Sequence, residues 1–163
     1  MLIKICRFIT LLTVALLTGL AFAHVLERPA KMLYDAGLYV TLQKTLYIAW
    51  GPPHVGGILE PTAILATIIL AIAVRKQHRA FWLSLSAAAA LVLAFPVVFF
   101  AYVAPANEAF RAATTASIPA NWMELRSSWE TGHTIRFVLQ VAALSLLLFS
   151  VLCDCRKNAS SRI

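Results

Sequence analysis

NWMELRSSWETGHTIRFVLQVAALSLLLFSVLC, residues 121–153, decides the fold, because a polar first half runs into an apolar second half with no residue that would stop a helix. Asn121 suits the N-cap position, and Glu124 three residues later completes a start of the capping-box kind. A helix from Asn121 to about Cys153 would contain about 30 residues and measure roughly 45 Å. Residues 134–153 alone are long enough to cross a bilayer. The stretch therefore predicts a membrane-spanning helix that projects well beyond the bilayer at one end.

The rest of the chain repeats the apolar half of this pattern. Of its 163 residues, 61% are hydrophobic and 13% are charged, which is too apolar for a soluble domain of this size. Residues 8–25, 56–74 and 81–103 form three further apolar runs, each close to the roughly 20 residues that a transmembrane helix needs. We predict a single domain of the all-α class: an integral membrane four-helix bundle with additional amphipathic helical segments on its outer side.

The distribution of basic residues predicts how the bundle is oriented. Lys and Arg cluster before the first run, in the loop 75–80 and after the last run, where Asp154 is their only acidic neighbour. In and beside the connections 26–55 and 104–133, basic and acidic residues are close to balance. Both termini and the loop 75–80 are therefore expected to face the cytoplasm, as in a bacterial inner-membrane protein. The net charge of +7 then reflects topology, and no nucleic-acid partner is predicted.

The two outer connections are expected to be partly helical. Leu38, Leu42 and Leu46 recur at four-residue spacing, which predicts an amphipathic helix at the membrane interface. The segment Trp50-Gly51-Pro52-Pro53 is expected to end that helix. Pro105-Ala106-Asn107 is expected to close the third span, so that a short polar segment follows it.

The end of the first apolar run allows two interpretations. Within AFAHVLERPAK, residues 21–31, Ala21-Phe22-Ala23 has the small-x-small form that a signal peptidase reads. Cleavage there would leave His24 as a new N-terminus, able to chelate copper through its amine and its ring. The alternative, which we expect, is that the segment is retained and that the first span continues through His24, with a bend at Pro29.

One stripe of polar and aromatic residues marks the last helix. Its members recur at steps of four and three residues and so share one helical face: Trp122, Arg126, Trp129, His133, Arg136 and Gln140. Glu130 lies beside the stripe. Either this face is exposed, with a solvated Arg126–Glu130 pair and tryptophans that anchor it at the interface, or it forms one wall of a polar pocket.

Glu60 favours the pocket. It begins an otherwise uncharged span, and a carboxylate in lipid is costly unless it faces the bundle interior and has a partner. Counted from the basic end of each helix, Glu60, His24 and His133 lie at similar depths, in or near the outer third of the bilayer core. We therefore expect these three side chains to meet in the outer half of the bundle.

The ligand types at this depth also suggest a metal. His24-x-x-Glu27 and Glu130-x-x-His133 each place an imidazole and a carboxylate on one helical face, and Glu60 adds another carboxylate. Four-helix bundles hold two metal ions with similar pairs, although this set is one carboxylate short. In this interpretation the five side chains would bind iron, copper or manganese. In the alternative without a cofactor, the carboxylates pair with basic residues, namely Arg28, Arg126 and Arg136, and the histidines form hydrogen bonds.

Four sequence stretches resemble those of the anthrone-oxygenase-like membrane proteins. They are LLTGLAFAHVLERPAKM (16–32), GGILEP (56–61), VAPAN (103–107) and NWMELRSSWETGHTIRF (121–137). The resemblance implies a small four-helix membrane protein. In the characterised branch of that family it implies oxygenation of an activated aromatic carbon, anthrone to anthraquinone, with molecular oxygen and no added cofactor.

Two functions follow as hypotheses. In the first, the protein is an oxygenase or oxidoreductase for a lipophilic phenolic or quinone-type substrate, with His133 or His24 as general base and Arg126 or Arg136 stabilising the oxyanion. The expected substrate-binding residues are Trp122, Trp129 and Asn107. In the second, the protein is a non-enzymatic membrane subunit or scaffold whose polar cluster is structural. The predicted partners are the lipid bilayer and a lipophilic small molecule, and a homo-oligomer or a membrane-complex partner is left open.

Overall fold

The computed structural model describes residues 1–51 and 54–160, with side chains up to residue 153. The helix stop predicted at Pro52-Pro53 lies outside the described residues. Within them the chain is helical and contains no strand, so the all-α prediction is confirmed. The elements are α1 (Leu2–Lys31), α2 (Ala36–Thr45), a 3₁₀ turn (Tyr47–Ala49), α3 (Val55–Ala73), α4 (His78–Val92), a π-helical segment (Leu93–Val103), α5 (Ala104–Ala112) and α6 (Trp122–Ser160).

Four helices are long and apolar enough to cross a membrane, as in a multi-pass membrane protein. They are Leu2–Lys31, Val55–Ala73, His78–Ala112 and Trp122–Cys153. Three of them extend well past the apolar runs in the sequence. The bundle is therefore longer than the hydropathy pattern alone suggests.

The four spans form a closed ring. α6 packs against α1 and α4, α1 packs against α3, and α3 packs against α4, so that the first and last helices are neighbours. Between the spans lies a core of small and aliphatic residues, which includes Val14, Leu17, Ala63, Leu70, Ala87, Leu91, Ala143 and Leu147. Small residues at such interfaces let helices approach closely, whereas large apolar side chains such as Phe8, Ile58, Ile69 and Phe149 point outward.

The third span does not end at Pro105, contrary to the sequence prediction. α4 passes into the π-helical segment and then into α5, which continues to Ala112. Pro96 lies inside the π-helical segment, and Ala104 N–H donates to the carbonyl five residues back, on Phe99. Pro105 follows directly, within the first two positions of α5, where a missing N–H is tolerated. The wider turns of the π-helical segment thus accommodate Pro96 and Pro105 without ending the helix.

The first span is one continuous helix through both features that raised questions. It passes Ala21-Phe22-Ala23 and Pro29 and ends at Lys31. Met32 N–H still donates to Arg28 O at 3.0 Å, so helical bonding resumes after Pro29. Because Val14 and Leu17 on this helix belong to the core, cleavage after residue 23 would remove one side of the bundle.

α2 covers one end of the bundle, which we call the α2 end. The Asp35 side chain accepts a hydrogen bond from Leu38 N–H at 2.8 Å and caps the helix. The face that α2 turns inward carries Tyr39 and Val40, which pack in a second core with Phe110. Of the leucines with four-residue spacing, Leu38 and Leu46 are exposed, whereas Leu42 is partly buried against this second core.

Candidate functional site

A cavity of about 130 Å³ lies beneath α2, between α1, α3, the π-helical segment and α6. Its polar and aromatic lining includes His24, Glu60, Asn107, Trp129, His133 and Arg136. The structure thus brings together His24, Glu60 and His133, which are far apart in the sequence. Apolar side chains such as Leu17, Phe95 and Phe99 complete the wall.

Two adjoining histidine rings, tilted by 36° to each other, form the most unusual part of this wall. The ring centroids of His24 and His133 are 4.0 Å apart, and both side chains are buried. The Trp129 ring lies 4.1 Å from His133 and 5.1 Å from His24, while Trp50 and Tyr47 approach the other sides of His24. The imidazoles are therefore fixed in an aromatic cage, with their edges available to the cavity.

Glu60 forms an ion pair with Arg136 inside the bundle. Arg136 donates through Nη2 to Glu60 Oε1, and its Nη1 lies 3.5 Å from His133 Nδ1. All three side chains are buried. The guanidinium thus connects the carboxylate of α3 to the imidazole of α6, which compensates the charge of Glu60 in the apolar interior.

A second buried ionic cluster lies next to the histidines and is centred on Lys31. Its Nζ atom is 3.0 Å from Glu130 Oε2 and 3.9 Å from Glu27 Oε2. The same atom lies 4.7 Å from the centroid of the Trp129 ring, a cation–π arrangement. Because the first apolar run ends at residue 25, Lys31 falls in the outer connection 26–55 predicted from the sequence and was not among the expected site residues. The spacing of four from Glu27 and seven from His24 was the available signal, since it places all three on one helical face.

Two tyrosines complete the lysine cluster. Tyr39 donates its hydroxyl hydrogen to Glu130 Oε1 at 3.1 Å, and Tyr47 donates to Glu27 Oε2 at 2.6 Å. Burial raises the pKa of both hydroxyls, and the neighbouring carboxylates raise the pKa of each further. Both tyrosines therefore remain hydrogen-bond donors at neutral pH.

Arg126 does not pair with Glu130 and does not line the cavity. Its Nη1 donates to the carbonyl oxygens of Tyr34 at 3.0 Å and Lys31 at 3.4 Å, and its guanidinium packs over Trp122, 4.6 Å from the ring centroid. Arg126 and Trp122 thus hold the turn that follows α1. The solvated Arg126–Glu130 pair considered from the sequence does not form. Arg126 instead contacts the turn after α1 and Trp122, and Glu130 contacts Lys31 and Tyr39.

Asn107 reaches the site through Trp129. Its Oδ1 accepts a hydrogen bond from Trp129 Nε1 at 2.7 Å, and both residues line the cavity. The helix that carries Asn107, α5, follows directly on the π-helical segment, and such segments occur often at functional sites. Asn107 therefore fixes the indole that packs against both imidazoles.

The five metal ligands predicted from the sequence are not arranged as a ligand set. In the described part of the chain no group of three His, Cys, Asp or Glu side chains is placed to hold a metal ion. Each carboxylate is directed at another group: Glu60 at Arg136, Glu130 at Lys31 and Tyr39, and Glu27 at Tyr47. His24 and His133 are thus brought together without a carboxylate ligand between them.

Comparison of the chain with protein-family models, with curated proteins and with solved structures gives no match. The site is defined by its own chemistry: an aromatic-walled cavity, two adjoining imidazoles and a guanidinium whose charge a buried carboxylate balances.

Proposed function

We propose that the protein is a membrane-embedded enzyme of the oxygenase or oxidoreductase type, acting on a lipophilic phenolic or quinone-type molecule bound in the cavity. The observation that carries the proposal is the pair of buried imidazoles on the wall of a cavity that combines aromatic and aliphatic side chains with a few polar groups, among them Arg136 and Asn107. Ligand sites are typically apolar concavities with a few convergent polar groups, which is the composition found here.

The polar groups suit removal of a phenolic proton. A neutral imidazole offers one ring nitrogen as an acceptor, and His24 Nδ1 is buried without a hydrogen-bond partner among the described residues. Arg136 would stabilise the resulting oxyanion, because its charge is held in place by Glu60. Trp129, oriented by Asn107, would pack against the flat ring of the substrate.

The oxygenation that the sequence resemblance implies supplies a reaction that balances. Loss of a proton from the phenol or from the ring carbon that it activates gives an anion, which provides the electrons for a new bond between that carbon and one atom of dioxygen. Loss of water then leaves a carbonyl group. One oxygen atom enters the ring, the other leaves as water, and the carbon loses two hydrogens.

The proposed orientation places the α2 end outward and both termini in the cytoplasm, in a bacterial inner membrane. Its support is the concentration of basic residues at the opposite end of the bundle. Lys44, Ile48 and Arg111 line the cavity and are exposed, so they mark its mouth beside α2. A lipophilic substrate would enter there from the outer leaflet.

Oxygen uptake by the purified protein tests the proposal. The protein in lipid nanodiscs is given alkylated phenols and hydroxylated polycyclic compounds, and oxygen consumption and product mass are recorded. His24→Asn and His133→Asn should each lower turnover by about a hundredfold or more, because a general base is lost. His78→Asn is the matched control, since His78 is exposed at the start of α4, away from the cavity. It should leave turnover unchanged.

The scaffold hypothesis has one observation in its favour, which is that Lys31 and Glu130 form a buried ion pair and Tyr39 donates a hydrogen bond to Glu130, all without a ligand. Wild-type protein that neither binds a phenol nor consumes oxygen, while both histidine variants lose much of their thermal stability, would establish the scaffold and overturn the enzyme. Lost turnover with a nearly unchanged melting temperature would support the enzyme.

A further inference from the structure

The mouth of the cavity carries an excess of positive charge. Among the described residues that line the cavity, Lys44, Arg111 and Arg136 are cationic, and Glu60 is the one carboxylate. Because Glu60 pairs with Arg136 in the interior, the unbalanced charge belongs to Lys44 and Arg111, which are exposed at the mouth. Two such cations beside a cavity favour the entry and the binding of an anion.

Both cations lie at the C-terminal end of α5. The Lys44 ammonium donates to the carbonyl oxygen of Ala113, which caps this helix, at 2.6 Å, and Arg111 is in the last turn. That hydrogen bond gives Lys44 a structural role at the helix end, but it uses only one of the three ammonium hydrogens. Where side chains are described, Arg111 forms no hydrogen bond or ion pair, and Glu108, three residues before it, does not pair with it. The guanidinium of Arg111 is therefore available to a ligand.

The unpartnered polar atoms of the cavity lining are mainly donors. Nε2 of Gln43, Nε2 of Gln140 and Nε of Arg136 are buried without a hydrogen-bond partner in the same part of the chain. Gln140 Oε1 is an unpartnered acceptor, and His24 Nδ1 takes either role, since the tautomer decides. Buried polar groups without partners are costly, so a molecule that fits this lining supplies more acceptors than donors. A carboxylate is an acceptor only.

We infer that the ring compound bound in the cavity carries a carboxylate, and that this carboxylate contacts Lys44 and Arg111 at the mouth. Hydrogen bonds between ionised groups are the strongest that these donors can form. Gln43, which precedes Lys44 on α2, offers a further donor. The inference rests on the proposed function and narrows its substrate class to aromatic acids. The phosphate of a lipid headgroup has similar chemistry and is the competing occupant of the mouth.

Matched acids and amides test the inference. Hydroxybenzoates with a pentyl chain, in every ring isomer, and the corresponding hydroxybenzamides are titrated into the full-length protein in a maltoside detergent, and affinity is measured by calorimetry. Each acid has nearly the shape of its amide, but only the acid is charged at neutral pH. The acid should bind about tenfold more tightly than its amide, because two exposed cations contribute to its binding. This preference should shrink as the salt concentration rises.

Substitutions of Arg111 should change the preference in steps. Arg111→Gln should reduce it to about threefold, and Arg111→Glu should abolish it, because the new carboxylate cancels the charge of Lys44. Both variants should fold, since neither loses a hydrogen bond or an ion pair within the described structure. Arg79→Gln is the matched control and should keep the full preference, because Arg79 is exposed on α4 and does not line the cavity. Gln140→Leu removes a neutral group and should weaken acid and amide alike.

The outcomes separate the inference from the proposed function. Equal affinity for acid and amide, or a preference that Arg111→Glu leaves intact, overturns the inference and leaves the proposed function standing; the mouth cations then bind the phosphates of lipid headgroups. If neither acid nor amide binds while uncharged phenols are turned over in the oxygen-uptake experiment, the inference alone fails. If those phenols are not turned over either, both fail. A preference that falls in the Arg111 variants and persists in Arg79→Gln supports the inference.

Discussion

Among single residues, Glu60 and Arg136 form the contact on which the cavity depends most. Both are buried in spans whose surroundings are apolar, so each ion would be uncompensated without the other. A buried pair contributes little net stability relative to an apolar pair, but loss of one partner is severe. The two charges therefore act as one unit that joins α3 to α6.

Glu60→Gln is expected to lower the free energy of unfolding by about 3 kcal/mol, because Arg136 then remains buried without its counter-charge. The double variant Glu60→Leu/Arg136→Met should lose clearly less free energy of unfolding than Glu60→Leu and Arg136→Met lose together when each is made alone. Unfolding by titration of a denaturing detergent measures both. Glu124→Gln, at an exposed carboxylate near the start of α6, is the control and should change little. Additive losses in the double variant would show that the pair is not coupled.

Tyr47 should make stability depend on alkaline pH. Its pKa is raised by burial and then by its hydrogen bond to Glu27, whereas an unfolded tyrosine ionises near pH 10. Since the folded-state pKa is the higher one, the stabilisation is fully present below about pH 10 and is lost as pH rises towards the folded pKa.

Tyr47→Phe should therefore cost about 1 kcal/mol at neutral pH, through the lost hydrogen bond, and should show a shallower fall in melting temperature above about pH 10. Thermal melts of the two proteins from pH 7 to pH 11 measure the difference. Parallel curves over the whole range would contradict the assignment of the alkaline loss to Tyr47.

Site residues can be predicted from the sequence where their depth in the membrane determines their position, and less well where helix length or helix rotation does. The meeting of Glu60, His24 and His133 follows from depth, because a membrane fixes the level of each residue along its helix. Lys31 could not be found in this way, since nothing in the hydropathy of the chain indicates that α1 continues past Pro29. The basic residue with which each carboxylate pairs also depends on how each helix is rotated about its axis, and packing determines that rotation.

At the scale of the helices, the close approach of α6 to the π-helical segment positions the site. A Cβ atom on Gly132 would lie 2.8 Å from both Tyr102 Cβ and Val103 Cγ2, so no larger residue fits between the two helices. Gly132 stands next to His133, and any separation of the helices would move that imidazole. The absence of a side chain at Gly132 thus allows α6 and the π-helical segment to approach this closely.

Gly132→Ala should destabilise the protein by about 1–3 kcal/mol, because the added methyl group forces the helices apart. Gly19→Ala in α1 is the control: nothing lies within 4 Å of its Cβ position. That variant should gain about 0.5–1 kcal/mol from the higher helix propensity of alanine. Thermal melts in one detergent compare the pair, and equal effects of the two substitutions would contradict the close packing described here.

The third span shows why element boundaries were harder to predict than the number of elements. Four apolar runs require four spans, and the structure contains them. Pro105 predicts a helix end only if the hydrogen bonds keep four-residue steps, and a π-helical segment changes that step. Because Pro96 lies inside this segment and Pro105 directly after it, the helix continues past residues that normally end one.

For the whole molecule, the charge asymmetry leads to a test of orientation. In a background without native cysteines, single cysteines are introduced by His78→Cys, Ser160→Cys, Ala36→Cys and Thr115→Cys. Positions 36 and 115 should react with a membrane-impermeant thiol reagent added outside intact cells, and positions 78 and 160 should be protected. Labelling of position 78 from outside would reverse the proposed orientation of the cavity mouth.

The closed ring of helices has a consequence for biosynthesis. Glu60 and Arg136 are 76 residues apart in the chain, so α3 leaves the ribosome long before its partner. At about 5–20 residues per second, the carboxylate of a nascent chain waits roughly 4–15 seconds for its counter-charge. During that interval the cavity has no α6 wall, and Glu60 must be sheltered by the insertion machinery or by the lipid headgroups. The charge pair and the cavity therefore come into existence together, when the last helix enters the membrane.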